Sequence, residues 1–204
     1  MKILMFSGGL DSTILFYDLL AQGEKFQCAF INYGQKNFQY EFEAVNKICD
    51  TYGIALNYIN VPTLFEHQQS SLLYTSTEKH TVQSDEVINR NATLACVAAA
   101  NLPPKQKYTL LFAAHKTTAP YADTTRPFYM KLSKLLMIST NNRIDCEAPY
   151  IHLTKAKIAK KAYDLAITPE ELNKSVSCYE GVGCGVCPAC KARKEALKAI
   201  FNKK

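Results

Sequence analysis

Short, continuously apolar runs alternate along the chain with longer segments whose apolar residues recur at helical spacing. Residues 2–6, apolar after Lys2, read as a buried parallel strand. Residues 12–21 are apolar around most of a helix, as suits a crossover packed on a sheet, and Gly23 closes them as a C-cap. Residues 26–31 form a second strand, 38–52 a second helix followed by Gly53, and 54–61 a third strand. Residues 62–86 have no clear period and are rich in Ser, Thr and Gln, and a loop of that length inside a domain is usually functional or mobile. An alanine-rich helix over 87–101 stops at Pro103-Pro104, and 108–114 is another strand. A helix over 127–139 has Pro127 in its first turn, 143–150 holds a short strand, and Thr154 caps a helix over 155–166.

Strands alternating with helices predict α/β architecture: a Rossmann-like parallel sheet with helices on both faces, joined by right-handed crossovers. With 204 residues the chain suits one such domain and a small appended module, divided at 1–170 and 171–204, where a cysteine-rich stretch begins near Ser175. Hydrophobic residues at 48% and charged residues at 21% are ordinary for a globular protein. No apolar run approaches the ~20 residues of a membrane span, and the opening Met1-Lys2-Ile3-Leu4-Met5-Phe6 is too short for a signal peptide, so a cytoplasmic enzyme is expected. The net charge of +6 is concentrated at Lys191, Arg193, Lys194, Lys198, Lys203 and Lys204, which read as a solvated helix face and tail in preference to a nucleic-acid surface.

The chemistry begins where the first strand ends, at Ser7-Gly8-Gly9-Leu10-Asp11-Ser12-Thr13. In an open α/β sheet ligands bind beyond the carboxyl ends of the strands. Two glycines let the backbone approach a ligand, three hydroxyls supply donors, and the following helix adds free N–H groups and the positive end of its dipole. The result is an anion cradle suited to pyrophosphate, in which Asp11 holds Mg2+ or fixes the loop. The spacing is neither a Walker P-loop nor Gly-x-Gly-x-x-Gly.

Of eight cysteines, Cys28, Cys49, Cys96 and Cys146 stand singly in apolar or mixed stretches and read as buried thiols. Cys178, Cys184, Cys187 and Cys190 follow Cys-x5-Cys-x2-Cys-x2-Cys, with Gly181, Gly183 and Gly185 giving the backbone freedom to wrap an ion. Four thiolates at this spacing match a structural Zn2+ site, with an iron–sulfur cluster as the competitor because sulfur ligands alone do not select the metal.

The Ser-Gly-Gly-x-Asp-Ser segment resembles the signature of N-type ATP pyrophosphatases, which cleave ATP between the α- and β-phosphates and transfer AMP to an acceptor oxygen. Together with Ser177-Cys178-Tyr179 and the cysteine cluster it resembles the 7-cyano-7-deazaguanine synthase family. Tyr33-Gly34-Gln35, Arg90-Asn91, Tyr121-x-Asp123 with Phe128, and Lys155 extend the likeness over nearly the whole chain. The resemblance implies a Rossmann-like fold, ATP, Mg2+ and Zn2+ as cofactors, and a homodimer acting on a small 7-deazapurine carboxylate and ammonia, with nucleic acid not expected as a direct substrate. It implies that Ser7, Gly8, Gly9, Leu10, Asp11, Ser12 and Thr13 hold the pyrophosphate. Ser12, Asp11, Lys155 and Arg90 would serve catalysis, and Tyr33, Gln35, Arg90, Asn91, Tyr121 and Asp123 the base. Asn91 reads equally as a helix cap. His115 reads as a hydrogen-bonded structural histidine in preference to a base, and His67, His80 and His152 receive no role.

The chain departs from the family in the presumed substrate pocket. Val87-Ile88-Asn89-Arg90-Asn91 lacks a Pro-Gly turn, Arg126 adds a positive charge beside Pro127, and His115-Lys116-Thr117-Thr118-Ala119-Pro120 lacks acidic and glycine residues. The alternative is therefore an ATP pyrophosphatase adenylating a different acceptor, a tRNA base or a protein carboxylate.

Overall fold

The strands over residues 2–5, 26–32 and 108–111 are largely buried on both faces, which explains their near-continuous apolar runs, whereas the strands over 56–60 and 144–147 carry polar residues and are partly exposed. The computed structural model describes residues 1–104, 106–116 and 121–201. Thr117, Thr118, Ala119 and Pro120, and the basic tail residues Lys203 and Lys204, lie outside the described residues. The elements are β1 (Lys2–Met5), α1 (Leu10–Ala21), β2 (Phe26–Asn32), α2 (Phe38–Tyr52), β3 (Leu56–Asn60), α3 (Arg90–Ala100), β4 (Tyr108–Leu111), α4 (Arg126–Ser139), β5 (Ile144–Glu147), α5 (Lys155–Asp164), α6 (Pro169–Asn173) and α7 (Pro188–Phe201).

The five strands form one parallel sheet in the order β3-β2-β1-β4-β5. The order in which strands are added therefore reverses between β1 and β4, the switch point at which such sheets bind ligands. Successive residues of a strand face opposite layers. Leu4, Phe6, Cys28, Phe30 and Leu111 pack with Ile14 and Leu15 of α1, Ile48 of α2, Ile158 of α5, Leu172 of α6 and Ala196 of α7. Ile3, Ala29, Ile31, Leu110 and Phe112 face the other layer, with Ala95 of α3 and Tyr129, Leu132 and Leu136 of α4. Helices thus cover both faces, as the sequence pattern predicts.

Element boundaries differ from the sequence reading where local chemistry intervenes. Helix α3 starts at Arg90 instead of residue 87, because Asn89 takes a left-handed conformation (φ 57°) that no helix continues through. Cys96, expected to be buried, is exposed: α3 turns Ala95 and Ala98 inward, and Cys96 falls on the opposite side. The aperiodic 62–86 stretch has a small core of its own. Phe65, Leu72 and Leu73 pack with Val87 and with Tyr33, and Leu73 bridges Gln35. That packing lays the segment over the turn between β2 and α2.

Candidate active site

The turn after β1 is built around Gly8 and Gly9. Gly8 is left-handed (φ 73°), and a Cβ there would approach Glu41 O and Val45 Cγ2 of α2 to 3.1 Å. Only glycine fits both the backbone and the neighbour. Gly9 is the N-cap of α1 and has no side chain to cap with. The first helical bond runs from Thr13 N to Gly9 O (2.9 Å). The N–H groups of Leu10, Asp11 and Ser12 precede it and so have no partner within the helix, the arrangement that receives anions at helix N-termini. Ser12 Oγ donates to Gly9 O (3.0 Å) and lies 3.1 Å from Ser7 Oγ, so both hydroxyls stand at the mouth of the turn. Leu10 and Thr13 are buried beneath it, and Thr13 Oγ1 has no hydrogen-bond partner.

Asp11 gathers the charges. Its Oδ2 accepts from Lys155 Nζ at 2.8 Å and lies 3.6 Å from His115 Nε2. Lys155 sits in the first turn of α5, where the helix dipole disfavours a cation, and the Asp11 pair offsets that. A parallel bridge between Lys116 and Thr154 draws the end of the β4 segment beside the α5 cap and so brings His115 and Lys155 to one place. The remaining oxygen, Asp11 Oδ1, is buried with no hydrogen-bond partner. A buried unpaired carboxylate oxygen is costly, and it is the hard donor that Mg2+ prefers, so the site fits that ion.

Ser7, Gly9, Asp11 and Ser12 line one cavity of about 310 Å3, whose floor is the carboxyl ends of β1, β2 and β4 and whose lining also includes Tyr33, Gln35, Glu41, Arg90 and Asn91. Apolar side chains complete it, among them Ile31, Leu94, Phe112 and Tyr129. The structure therefore joins the Ser7–Thr13 turn to Tyr33, Gln35, Arg90 and Asn91. Tyr121 and Asp123 stand outside the lining. The Asp123 carboxylate accepts from the Asn91 backbone N–H (2.9 Å), and the Asn91 side chain donates to Asp123 O (2.9 Å). Asn91 is thus no cap; Asp123 serves the start of α3 from outside the helix. Tyr121 donates its hydroxyl to Val82 O (3.0 Å) and ties down the 62–86 segment.

Sequence reasoning missed Glu41. It sits in the first turn of an amphipathic helix and reads there as a solvent residue. The signal that would have found it is Tyr33-Gly34-Gln35, which ends β2 at the sheet's ligand-binding edge and so places the start of α2 at the same edge. Burial raises the Glu41 carboxyl to about 7, against the opposing pull of the Gln35 and Asn37 amides and the Arg90 charge. His80 was also passed over. Its two ring nitrogens meet Asp85 Oδ1 at 2.7 Å and Glu180 Oε1 at 2.8 Å, clasping the 62–86 segment to the cysteine-rich turn.

The four sulfur atoms of Cys178, Cys184, Cys187 and Cys190 lie within 4.8 Å of one another. The N–H of Cys184 points at Cys178 Sγ (3.3 Å) and that of Cys190 at Cys187 Sγ (3.4 Å). Backbone N–H groups of Cys187 and Val186 lower the Cys184 thiol to about 6. Converging thiolates that receive N–H bonds fit a four-coordinate metal. The module also touches the cavity's frame. Val176 N donates to Gly8 O (2.8 Å), Asn37 Nδ2 donates to Cys178 O (3.1 Å), and Gly181 packs on the Tyr40 ring with no room for a side chain. Arg193 donates to Leu172 O (2.6 Å) and Ser175 Oγ (2.6 Å), bracing the strap that leads into the cluster.

The sequence model of the family described as queuosine biosynthesis protein QueC matches residues 1–201. The chain is 32% identical over 213 residues to a 7-cyano-7-deazaguanine synthase of Caldicellulosiruptor bescii, covering 97% of this chain and 92% of that protein. It is 30% identical over 206 residues to a 7-cyano-7-deazaguanine synthase of Methanoregula boonei, covering 96% and 93%.

Proposed function

The chain belongs to the QueC family of queuosine biosynthesis proteins, and on that premise we propose that it uses ATP and ammonia to convert 7-carboxy-7-deazaguanine to 7-cyano-7-deazaguanine. The observation that carries the reading is the continuity of the site: residues of the Ser7–Thr13 turn and the apolar side chains of Ile31, Leu94, Phe112 and Tyr129 line one cavity. A carboxylate on a ring held among those side chains is within reach of a nucleotide held by the turn.

The ATP phosphates are held by the Ser7–Thr13 turn, with free N–H groups of α1 and the Ser7 and Ser12 hydroxyls as donors. Asp11 would hold Mg2+, which supplies charge neutralisation on the phosphates. The substrate carboxylate attacks the α-phosphorus and the bond to pyrophosphate breaks. Lys155 and Arg90 stabilise the negative charge that builds on the transferring group. Ammonia then adds to the acyl carbon, AMP leaves with the carboxylate oxygen, and the nitrogen loses a proton to give the amide. Adenylation of the amide oxygen by a second ATP, followed by loss of AMP and the remaining N–H protons, gives the nitrile. Cys178, Cys184, Cys187 and Cys190 would hold Zn2+ as a closed, structural site with no open position for a substrate. The family resemblance supports a cytoplasmic homodimer as the working form, which sedimentation analysis checks.

Incubating the metal-loaded protein with ATP, Mg2+, ammonia and 7-carboxy-7-deazaguanine is expected to release AMP and pyrophosphate and to yield the nitrile by mass spectrometry. Folded, metal-loaded protein that forms neither amide nor nitrile refutes the reading. AMP release that depends on added tRNA or protein would transfer it to the other acceptor class.

A further inference from the structure

Two carboxylates line the cavity, and they are held differently. Asp11 is engaged by the Lys155 ammonium. Glu41, among the described residues, forms no salt bridge; it is gripped from behind by two amides. Asn37 Nδ2 donates to its Oε1 (2.9 Å) and Gln35 Nε2 to its Oε2 (3.3 Å). Both amides are buried and themselves fixed. Gln35 Oε1 accepts from Tyr33 N (2.9 Å) while its Nε2 also reaches Ile31 O (3.2 Å), and Asn37 reaches Cys178 O (3.1 Å). The amide nitrogen of Gln35 is thus engaged by Ile31 O and Glu41, and its part in binding is to aim Glu41.

A carboxylate accepts about four hydrogen bonds, and each Glu41 oxygen receives one from the protein. Each oxygen keeps a further acceptor site, and Glu41 lines the cavity together with Ile31, Leu94 and Phe112. Arg90 lines the same cavity, close enough to favour the Glu41 charge. Two carboxylate acceptors and a guanidinium donor on one cavity supply the groups that complement one heterocycle edge in particular: an exocyclic amine, a ring N–H and a carbonyl oxygen in sequence.

Resting on the proposed function, the geometry points to Glu41 as the residue that selects the base, accepting both N–H donors of a 2-amino-lactam ring while Arg90 donates to its carbonyl oxygen. A 6-amino ring of adenine type sets a ring-nitrogen lone pair against one carboxylate oxygen and is rejected. A lactam without the 2-amino group leaves one oxygen unpaired. The burial of Glu41 sharpens the choice, because a charge left without donors in a dry slot is expensive.

The test compares binding of 7-carboxy-7-deazaguanine and its analogue lacking the 2-amino group by titration calorimetry, on the wild-type protein and on Glu41→Gln. The wild type is expected to bind the analogue on the order of 100-fold more weakly, since a site built for a hydrogen-bonding group rejects the ligand that lacks it. In Glu41→Gln the affinity for the parent falls and the two ligands come within a few-fold of each other, while ATP affinity, read in the same samples, is retained. Wild-type protein that turns over the parent yet binds both ligands equally, or a variant that keeps the discrimination, overturns the assignment and leaves the proposed function standing. Wild-type protein that neither binds nor converts the deazapurine overturns both.

Discussion

Replacing Glu41 with glutamine is expected to stabilise the ligand-free protein above neutral pH and to do so progressively less as the pH falls. The half-buried carboxyl is raised by burial from 4.5 to about 7. A group with the higher pKa in the folded chain binds more protons folded than unfolded, so stability declines as pH rises between the two values. The Glu41 contribution is therefore intact below 4.5 and lost once the pH has passed about 7. Each tenfold change in proton affinity is worth roughly 1.4 kcal/mol, which sets about 3.5 kcal/mol as the ceiling for this rise. Solvent reaching the open side of the cavity screens part of it, and about 2 kcal/mol is the expected difference. Glutamine keeps the shape but removes the charge. Its amide must turn one N–H2 towards Gln35 or Asn37, a penalty that does not vary with pH. Chemical denaturation of both proteins at several pH values between 4.5 and 8 reads the effect as the change in their stability difference. Protonation of the cysteine thiolates, with any metal release it causes, acts on both chains alike and cancels. Parallel stability curves across that range would refute the burial argument.

Lys155→Met should leave the fold intact and lower AMP and pyrophosphate release by about 10²- to 10³-fold, the scale for losing one group that stabilises transition-state charge; unchanged release would remove Lys155 from the chemistry. Gly8→Ala should destabilise the chain by about 2 kcal/mol, from left-handed strain plus overlap with α2, seen as a lower urea midpoint. Metal chelation should lower the melting temperature and weaken ATP binding together, because the Val176 N to Gly8 O bond (2.8 Å) links the cysteine module to the phosphate turn; calorimetric ATP titration before and after chelation checks it. His80→Ala should raise proteolytic cleavage within 62–86 by freeing the clasp to Glu180, measured against the wild type by limited trypsin digestion.

What could be read from the sequence is what repeats or concentrates. Continuous apolar strands and intervening helices carry the α/β layering because burial on two faces leaves a one-dimensional signature. The Ser7–Thr13 turn and the four clustered cysteines are equally local: each holds most of its chemistry within a few residues. Functions assembled across the fold left no such mark. Asp123 looks like a pocket residue in its own motif, yet its carboxylate is spent on the start of α3, 32 residues away. Gln35 looks like a base reader, and its amide N–H groups donate within the protein, to Ile31 O and to Glu41 of α2. Cys96 differs from its buried neighbours only by its side of a helix whose alanines give weak phase information.

The same contrast explains why Glu41 escaped notice and why it carries the site's selectivity. Along the chain it is one acidic residue in a polar helix turn. In the fold, Gly8 lets the phosphate turn pack directly on the Glu41 backbone, while Gln35 and Asn37 hold its carboxyl towards the slot. A structural role would be served better by an uncharged side chain, since the charge raises the free energy of the folded state above pH 7. A burden of that kind is retained where a ligand relieves it, and donors from a bound ring relieve it while the solvent-filled cavity does so only in part. The expected coupling is reciprocal. Ligand binding should return the Glu41 carboxyl towards the ordinary carboxylate range, so near pH 7 the occupied site holds fewer protons at Glu41 than the empty one. Calorimetric titrations near pH 7 in buffers of different ionisation enthalpy should therefore show proton release on binding the 2-amino-lactam ring, and none from the Glu41→Gln protein.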